Sequence, residues 1–301
     1  MTNLILHIGA HRTGTTTLQA SLDAAQDVLS ARGIAVLTPP RPDKRNQKTI
    51  RKLVNLAGSV RRPMGKLLIW FKRKQAQTIM LDLLNTATLR DIVFEDIILS
   101  DEKILGSIFG RNGKSIYPAT KSHLQALKKL LPLDVSKIHL TLRSYDTFII
   151  SSYVMRAVYG SKIKPFETMT DELLTISKGW NDVIDDIRFI FPNAELTVSL
   201  FEVNSFEERL RSLVNDPKNQ MNIGQYIVRP MNRAPTREAI EHVLGLSEKP
   251  DNPDEIVDQF AEGTPFDPLT KEQKTALQER YKKDIATIQN RSDIRFLKTT
   301  E

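Results

Sequence analysis

The sequence predicts an α/β protein in three αβα layers, with helices on both faces of a central, mostly parallel sheet. Short apolar runs of strand length alternate with helix-periodic segments along most of the chain. The first run opens directly into a Gly/Thr loop and then a helix, a strand–loop–helix unit. The apolar fraction, 40% of 301 residues, is enough to bury a sizeable core.

Each element follows from local pattern. Residues 4–8 (LILHI) form an apolar run suited to a strand buried on both faces. The loop 9–17 (GAHRTGTTT) comes next, then a helix with Leu18, Leu22, Ala25 and Leu29 on one face, closed by Gly33. A short strand is expected at 34–37, stopped by Pro39 and Pro40. Residues 41–74 read as irregular helix, interrupted by Gly58, Pro63 and Gly65. Residues 92–99 (IVFEDIIL) read as a strand ending in Ser100-Asp101-Glu102, and 137–143 (KIHLTLR) as another. A helix over 145–159 follows, then a long one over 171–191, stopped by Pro192-Asn193. A further strand is expected at 196–201, and helices at 205–214, 236–244 and 271–289. Only 248–254 reads as linker. The expectation is a single domain over 1–301, with a basic helical insertion at about 38–90.

Composition excludes some chemistry. The chain has no cysteine, so it has no disulfide, no thiolate metal site and no cysteine nucleophile. No stretch approaches the about 20 apolar residues of a membrane span. The apolar run at 4–8 is too short for a signal-peptide core, and a cytoplasmic protein is the expectation. Between positions 38 and 75 stand twelve cations and one acid, Asp43, in a chain of net charge +7, so the remainder is net acidic. A local basic block points to an anionic partner.

A Gly/Thr loop between a buried strand and a helix is built to hold a phosphate. Glycine lets the backbone approach closely, and the helix N-terminus offers unpaired N–H groups and a partial positive charge. Thr15, Thr16 and Thr17 add hydroxyl donors. Gly9 and Gly14 keep the glycine spacing of the nucleoside-triphosphate loop GxxxxGK[ST], but Thr15 replaces its lysine. That lysine serves the β- and γ-phosphates. The cation here stands earlier, at Arg12. A second phosphate signal lies at Arg143, at a strand's end, with Ser151 about two helical turns later.

The run His7-Ile8-Gly9-Ala10-His11-Arg12-Thr13-Gly14-Thr15-Thr16-Thr17-Leu18-Gln19 resembles the 5'-phosphosulfate loop of the sulfotransferases that use 3'-phosphoadenosine 5'-phosphosulfate. Bacterial members commonly read HIGxxKTGTTxLQ; Arg12 stands where they usually carry lysine. Arginine keeps the charge but is a poor proton donor. Arg143 and Ser151 keep the Arg-to-Ser spacing of the family's 3'-phosphate motif, with Ser144-Tyr145 in place of its usual Asp-Pro. Weaker similarity runs through 180–202 and 232–238.

The resemblance implies a sheet related to that of nucleotide kinases and transfer of a sulfuryl group to a hydroxyl or amine of a carbohydrate-type acceptor. It implies the phosphosulfate as co-substrate, adenosine 3',5'-bisphosphate as product, and no metal. Arg12, Thr13, Gly14, Thr15, Thr16 and Thr17 would hold the 5'-phosphate, Arg143 and Ser151 the 3'-phosphate, and Arg233 would add a contact. Arg12 would also stabilise the leaving group.

A base must take the acceptor's proton. Glu102, beyond a strand's carboxyl end where such sheets bind ligands, is the candidate, and relatives carry Ser-x-Glu there. Asp101 and His11 are its competitors; His7, His123, His139 and His242 read as structural or surface residues. The partner is expected to be a glycan, glycolipid or other small acceptor, an anionic one if the basic block takes part; the segment around Trp70 and Phe71 reads as lining its groove, touching a membrane surface, or forming a solvated helical face with one buried stripe. No nucleic-acid motif is present, and none is expected as partner. The alternatives are a P-loop kinase and a non-catalytic protein that binds anionic lipid or nucleic acid.

Overall fold

The computed structural model describes residues 2–39, 71, 72, 74, 75, 78, 94–109, 115–160, 163–216, 218–229, 234–246, 248 and 250–298. Nearly all of the basic insertion at about 38–90, Trp70 and Arg233 lie outside the described residues.

Six strands form one sheet: β1 (Asn3–His7), β2 (Ile34–Leu37), β3 (Asp96–Ser100), β4 (Val135–Leu142), β5 (Glu195–Leu200) and β6 (Arg295–Phe296). Their order is β2-β3-β1-β4-β5-β6, and every neighbouring pair is parallel. Alternation along β1 sends Leu4 and Leu6 to one apolar cluster and Ile5 to the other, so both faces of the sheet are covered. One face is packed by α1 (Thr15–Ala24), α2 (Gln26–Ser30) and α7 (Phe206–Leu213), through Leu18, Leu22, Leu29, Leu210 and Leu213. The larger core lies on the other face, under α3 (Thr120–Leu130), α4 (Tyr145–Tyr159), α6 (Trp180–Ile190) and α10 (Lys271–Gln289). The architecture is the three-layer αβα sheet that the sequence predicts.

Several expected boundaries change. The helix carrying Leu18 to Leu29 is two helices that meet at Ala25, whose N–H still bonds Ser21 O at 3.0 Å. All four apolar positions stay buried through the bend, so their spacing does not reveal it. The expected helix over 171–191 is also two, α5 (Thr170–Leu174) and α6. Lys178 leaves the helix to bridge Ser115, and Ile116 N donates to Lys178 O at 3.1 Å. Gly179 follows in extended backbone, where a Cβ would collide with the Tyr145 hydroxyl.

Strand β3 starts at Asp96, opposite Asn3, because its length is set by pairing with β1; Phe94 and Glu95 precede it, and 92–93 lie outside the described residues. The linker expected at 248–254 runs into α9 (Pro253–Gln259), which follows α8 (Arg237–Gly245). Pro253 at the first helical position and the acids Asp254 and Glu255 in the first turn suit a helix start. Helix α3 and strand β6 have no counterpart in the sequence reading.

His7 and His139 are register partners on β1 and β4, and both are buried. Burial pushes each imidazole down to about 3, and for His7 its neighbour His139 adds to the effect. The unfolded chain protonates these rings near 6.5, so it binds more protons than the folded state between about 6.5 and 3. Their contribution to stability is therefore complete above about 6.5 and is lost as pH falls. Urea unfolding at pH 7 and pH 5 should differ by about 2 kcal/mol for each ring, and His139→Gln should flatten that dependence. A pH-independent unfolding free energy across this window would contradict the assignment.

Candidate functional site

The carboxyl ends of β1 and β4 lie side by side, and the connections that leave them run to opposite sides of the sheet. This is the switch point at which open parallel sheets bind ligands. The Gly9 loop leaves β1 here and Arg143 follows β4. Thr141 N donates to Gly9 O at 2.6 Å and Ala10 N to Thr141 O at 3.1 Å, so β4 carries the loop's first turn.

Backbone conformation shapes the loop. Gly9 has φ +98, and a Cβ there would sit 3.0 Å from the Glu102 Cβ. Glycine is required for both reasons. Arg12 (φ 64) and Gly14 (φ 80) are left-handed, and Gly14 is the N-cap of α1. A glycine cap offers no side chain, so none caps the amides of the first turn. Leu18 N makes the first intrahelical bond, to Gly14 O at 3.0 Å. The amides of Thr15, Thr16 and Thr17 have no acceptor among the described residues.

Three of the expected ligands converge. Arg12, Arg143 and Ser151 line one cleft of about 690 Å³, with Thr147, Ile150 and Val154 along the same face of α4. Arg12 Nε donates to Ser151 Oγ at 2.8 Å, which leaves the serine its own proton to donate. Arg143 Nη1 donates to Arg12 O at 2.6 Å and its Nε to Thr147 Oγ1 at 3.1 Å. Burial pushes both guanidinium pKa values down, and the Arg143 charge pushes Arg12 down further. Glu202 and Asp146 act in the opposite sense on Arg143. Two cations that repel each other beside open amides favour a bound anion, which relieves that repulsion.

The remaining loop residues divide. Thr13 is buried, and its hydroxyl donates inward to Ala10 O at 2.7 Å, so this side chain shapes the turn. Thr15 is buried, Thr16 is exposed and Thr17 is half-buried in the first turn of α1. Ala234, Pro235 and Thr236 line the same cleft.

Glu102 is set apart from that cleft and lies against Gly9 on the loop's β3 side. It opens a short 3-10 helix (Glu102–Leu105). Gln19 Nε2 donates to Glu102 Oε2 at 3.2 Å and to Ser100 O at 3.4 Å. The same helix therefore presents open amides at its N-terminus and holds this carboxylate one turn later.

The competitors are committed elsewhere. Asp101 is buried and caps the 3-10 helix by accepting from Lys103 N at 2.9 Å. His11 is pushed down to about 4, first by burial, with Glu102 opposing and Lys103 and Arg12 assisting. Its amide donates to Tyr117 Oη at 2.9 Å, and its Nδ1 lies 3.0 Å from that oxygen. The direction of the second contact depends on the tautomer: Nδ1 accepts the tyrosine proton when the ring carries its own proton on Nε2. In that tautomer Nε2 donates rather than accepts.

The sequence reading missed Gln19, although it stands in the quoted motif, and Arg209. Arg209 Nη1 donates to Thr13 O at 2.7 Å from the far face of the loop. No local signal distinguishes it from any other arginine on an amphipathic helix. No protein-family model matches the chain, and no curated protein matches its sequence.

Proposed function

We propose that the chain is a sulfotransferase that moves the sulfuryl group of 3'-phosphoadenosine 5'-phosphosulfate to a hydroxyl or amine of a carbohydrate-type acceptor. One observation carries the reading. Arg12, Arg143 and Ser151, separated in sequence, face one cleft beside an uncapped helix N-terminus, with a carboxylate held on the other side of the loop. The open amides suit the 5'-phosphate. Arg143 and the Ser151 proton suit a second phosphate, which distinguishes a 3',5'-bisphosphate from a simple nucleotide.

In this reading Glu102 takes the acceptor proton as the acceptor oxygen or nitrogen attacks sulfur. The bond from sulfur to the 5'-phosphate oxygen breaks, and the charge left on that oxygen is held by Arg12 and the amides of α1. A fixed cation and fixed dipoles need no reorganisation as that charge develops. The basic segment would draw an anionic glycan or glycolipid toward the site.

The test is transfer from sulfur-labelled donor to a panel of glycans, glycolipids and small hydroxyl or amine compounds. The expected result is label in the acceptor with release of adenosine 3',5'-bisphosphate and no requirement for divalent metal. Phosphoryl transfer from ATP, with no label moved from the phosphosulfate, would overturn the reading.

A further inference from the structure

The carbonyls of Arg12 and Thr13 are consecutive, and each accepts from a different arginine, Arg143 on one side and Arg209 on the other. Between the two guanidinium groups lies Phe201, whose ring centre is 4.7 Å from Arg143 and 5.3 Å from Arg209. Arg209 is buried, and its Nε makes only a long bond to Ser205 O, 3.4 Å, in its own helix. Phe206 adds a second ring at 5.7 Å. Among the described residues no carboxylate forms an ion pair with it. A buried cation without a paired acid is destabilising by itself. Its strongest bond goes to the phosphate loop.

In a trans peptide the C=O and the following N–H point in opposite directions. Holding the Arg12 carbonyl toward Arg143 therefore turns Thr13 N–H away from that guanidinium. Holding the Thr13 carbonyl toward Arg209 turns Gly14 N–H away from α7. The left-handed conformations at Arg12 and Gly14 accompany this arrangement, and alternation of that kind makes successive N–H groups converge into an anion-binding nest. The amides of Thr13, Gly14, Thr15, Thr16 and Thr17 all lack an acceptor among the described residues.

We infer that Arg209 is a positioning residue that, with Arg143, sets a five-amide nest spanning Thr13 to Thr17 for a phosphate group. Arg209 acts through the Thr13 carbonyl and does not touch the anion. Glu202 acts on its charge without an ion pair, and a bound anion adds to that support, which links loop order to ligand binding. The loop geometry stands independently of the proposed reaction; only the identity of the nucleotide rests on that reading.

The test uses Arg209→Met, which keeps the bulk of the side chain, and Arg209→Gln, which keeps a polar group should the first variant fold poorly. Amide order parameters are measured by NMR in the ligand-free protein, with β1 amides as internal control. Calorimetry measures binding of adenosine 3',5'-bisphosphate and of inorganic pyrophosphate. Thr13 and Gly14 should fall from about 0.85 in the wild type to below about 0.6 in the variants, with β1 unchanged. Both ligands should bind about 10- to 100-fold more weakly. Loop amides as ordered as in the wild type would overturn the inference, whether or not affinity falls. A loosened loop with unchanged pyrophosphate affinity would overturn it as well. A wild type that binds pyrophosphate but not the bisphosphate, with the loop loosened and pyrophosphate weakened in the variants, leaves Arg209 in its role and removes the nucleotide reading instead.

Discussion

Glu102→Gln is expected to reduce sulfuryl transfer by about 10²- to 10⁴-fold, the usual worth of a general base, with bisphosphate affinity unchanged. The amide keeps the size of the carboxylate and its contact with Gly9, and it keeps an oxygen for the Gln19 donor. It removes the ability to take a proton and the negative charge that acts on His11 and Arg12. The competing groups give contrasting expectations. Asp101→Ala should act on stability, by about 1 kcal/mol, because Asp101 caps the helix that begins at Glu102. His11→Gln should disturb the loop through Tyr117 and raise the donor KM more than it lowers kcat. Steady-state kinetics with thermal unfolding of the three variants separates these outcomes. Near-normal turnover in Glu102→Gln, with collapse in either of the others, would mean that the base is misassigned.

The chain should bind adenosine 3',5'-bisphosphate about 100-fold more tightly than AMP, without divalent metal. Two charge-assisted or proton-donating contacts to a 3'-phosphate, from Arg143 and Ser151, would be worth together about 3 kcal/mol. The structure changes how this must be tested. Arg143 also holds the Arg12 carbonyl, so Arg143→Ala should weaken AMP as well as the bisphosphate. Ser151→Ala leaves that clamp in place and removes the serine proton from the cleft, together with the acceptor of Arg12 Nε. Its affinity for the bisphosphate should fall by about 5- to 20-fold, with AMP moving less. Calorimetry that gives equal affinities for AMP and bisphosphate in the wild type would sink the 3'-phosphate assignment.

The parts of the site that were legible are those that a short segment encodes. Strand β1, its Gly/Thr loop and the start of α1 follow one another within a few residues, and each is selected by nearest neighbours in sequence. Arg143 just beyond β4 and Ser151 in the second turn of α4 were legible from their spacing along the chain, while the cleft they share is set by how β4 leads into α4. The termini of α4 and α10 were legible because their apolar positions and stops agree. The break between α5 and α6 was not. It depends on the bridge from Lys178 to Ser115 and on Gly179 packing against Tyr145, contacts between residues far apart along the chain. Helix α9 was read as linker because its acids and prolines suit a solvated chain as well as a helix start.

By itself, the sequence determined the αβα class and marked the strand–loop–helix unit with Arg12, and Arg143 beyond a later strand, because periodicity and loop composition act over one or two turns. Only the tertiary structure decided that β3 and β4 flank β1, which brings Glu102 to one side of the loop and Arg143 and Ser151 to the other. It alone assigned Gln19 to the carboxylate and Arg209 to the Thr13 carbonyl, across 83 and 196 residues of sequence. It also committed Asp101 and His11 to other partners. The physical reason is the same in each case. A hydrogen bond reaches about 3 Å, and which groups come within that reach is set by strand order and crossover, which no local pattern of residues encodes.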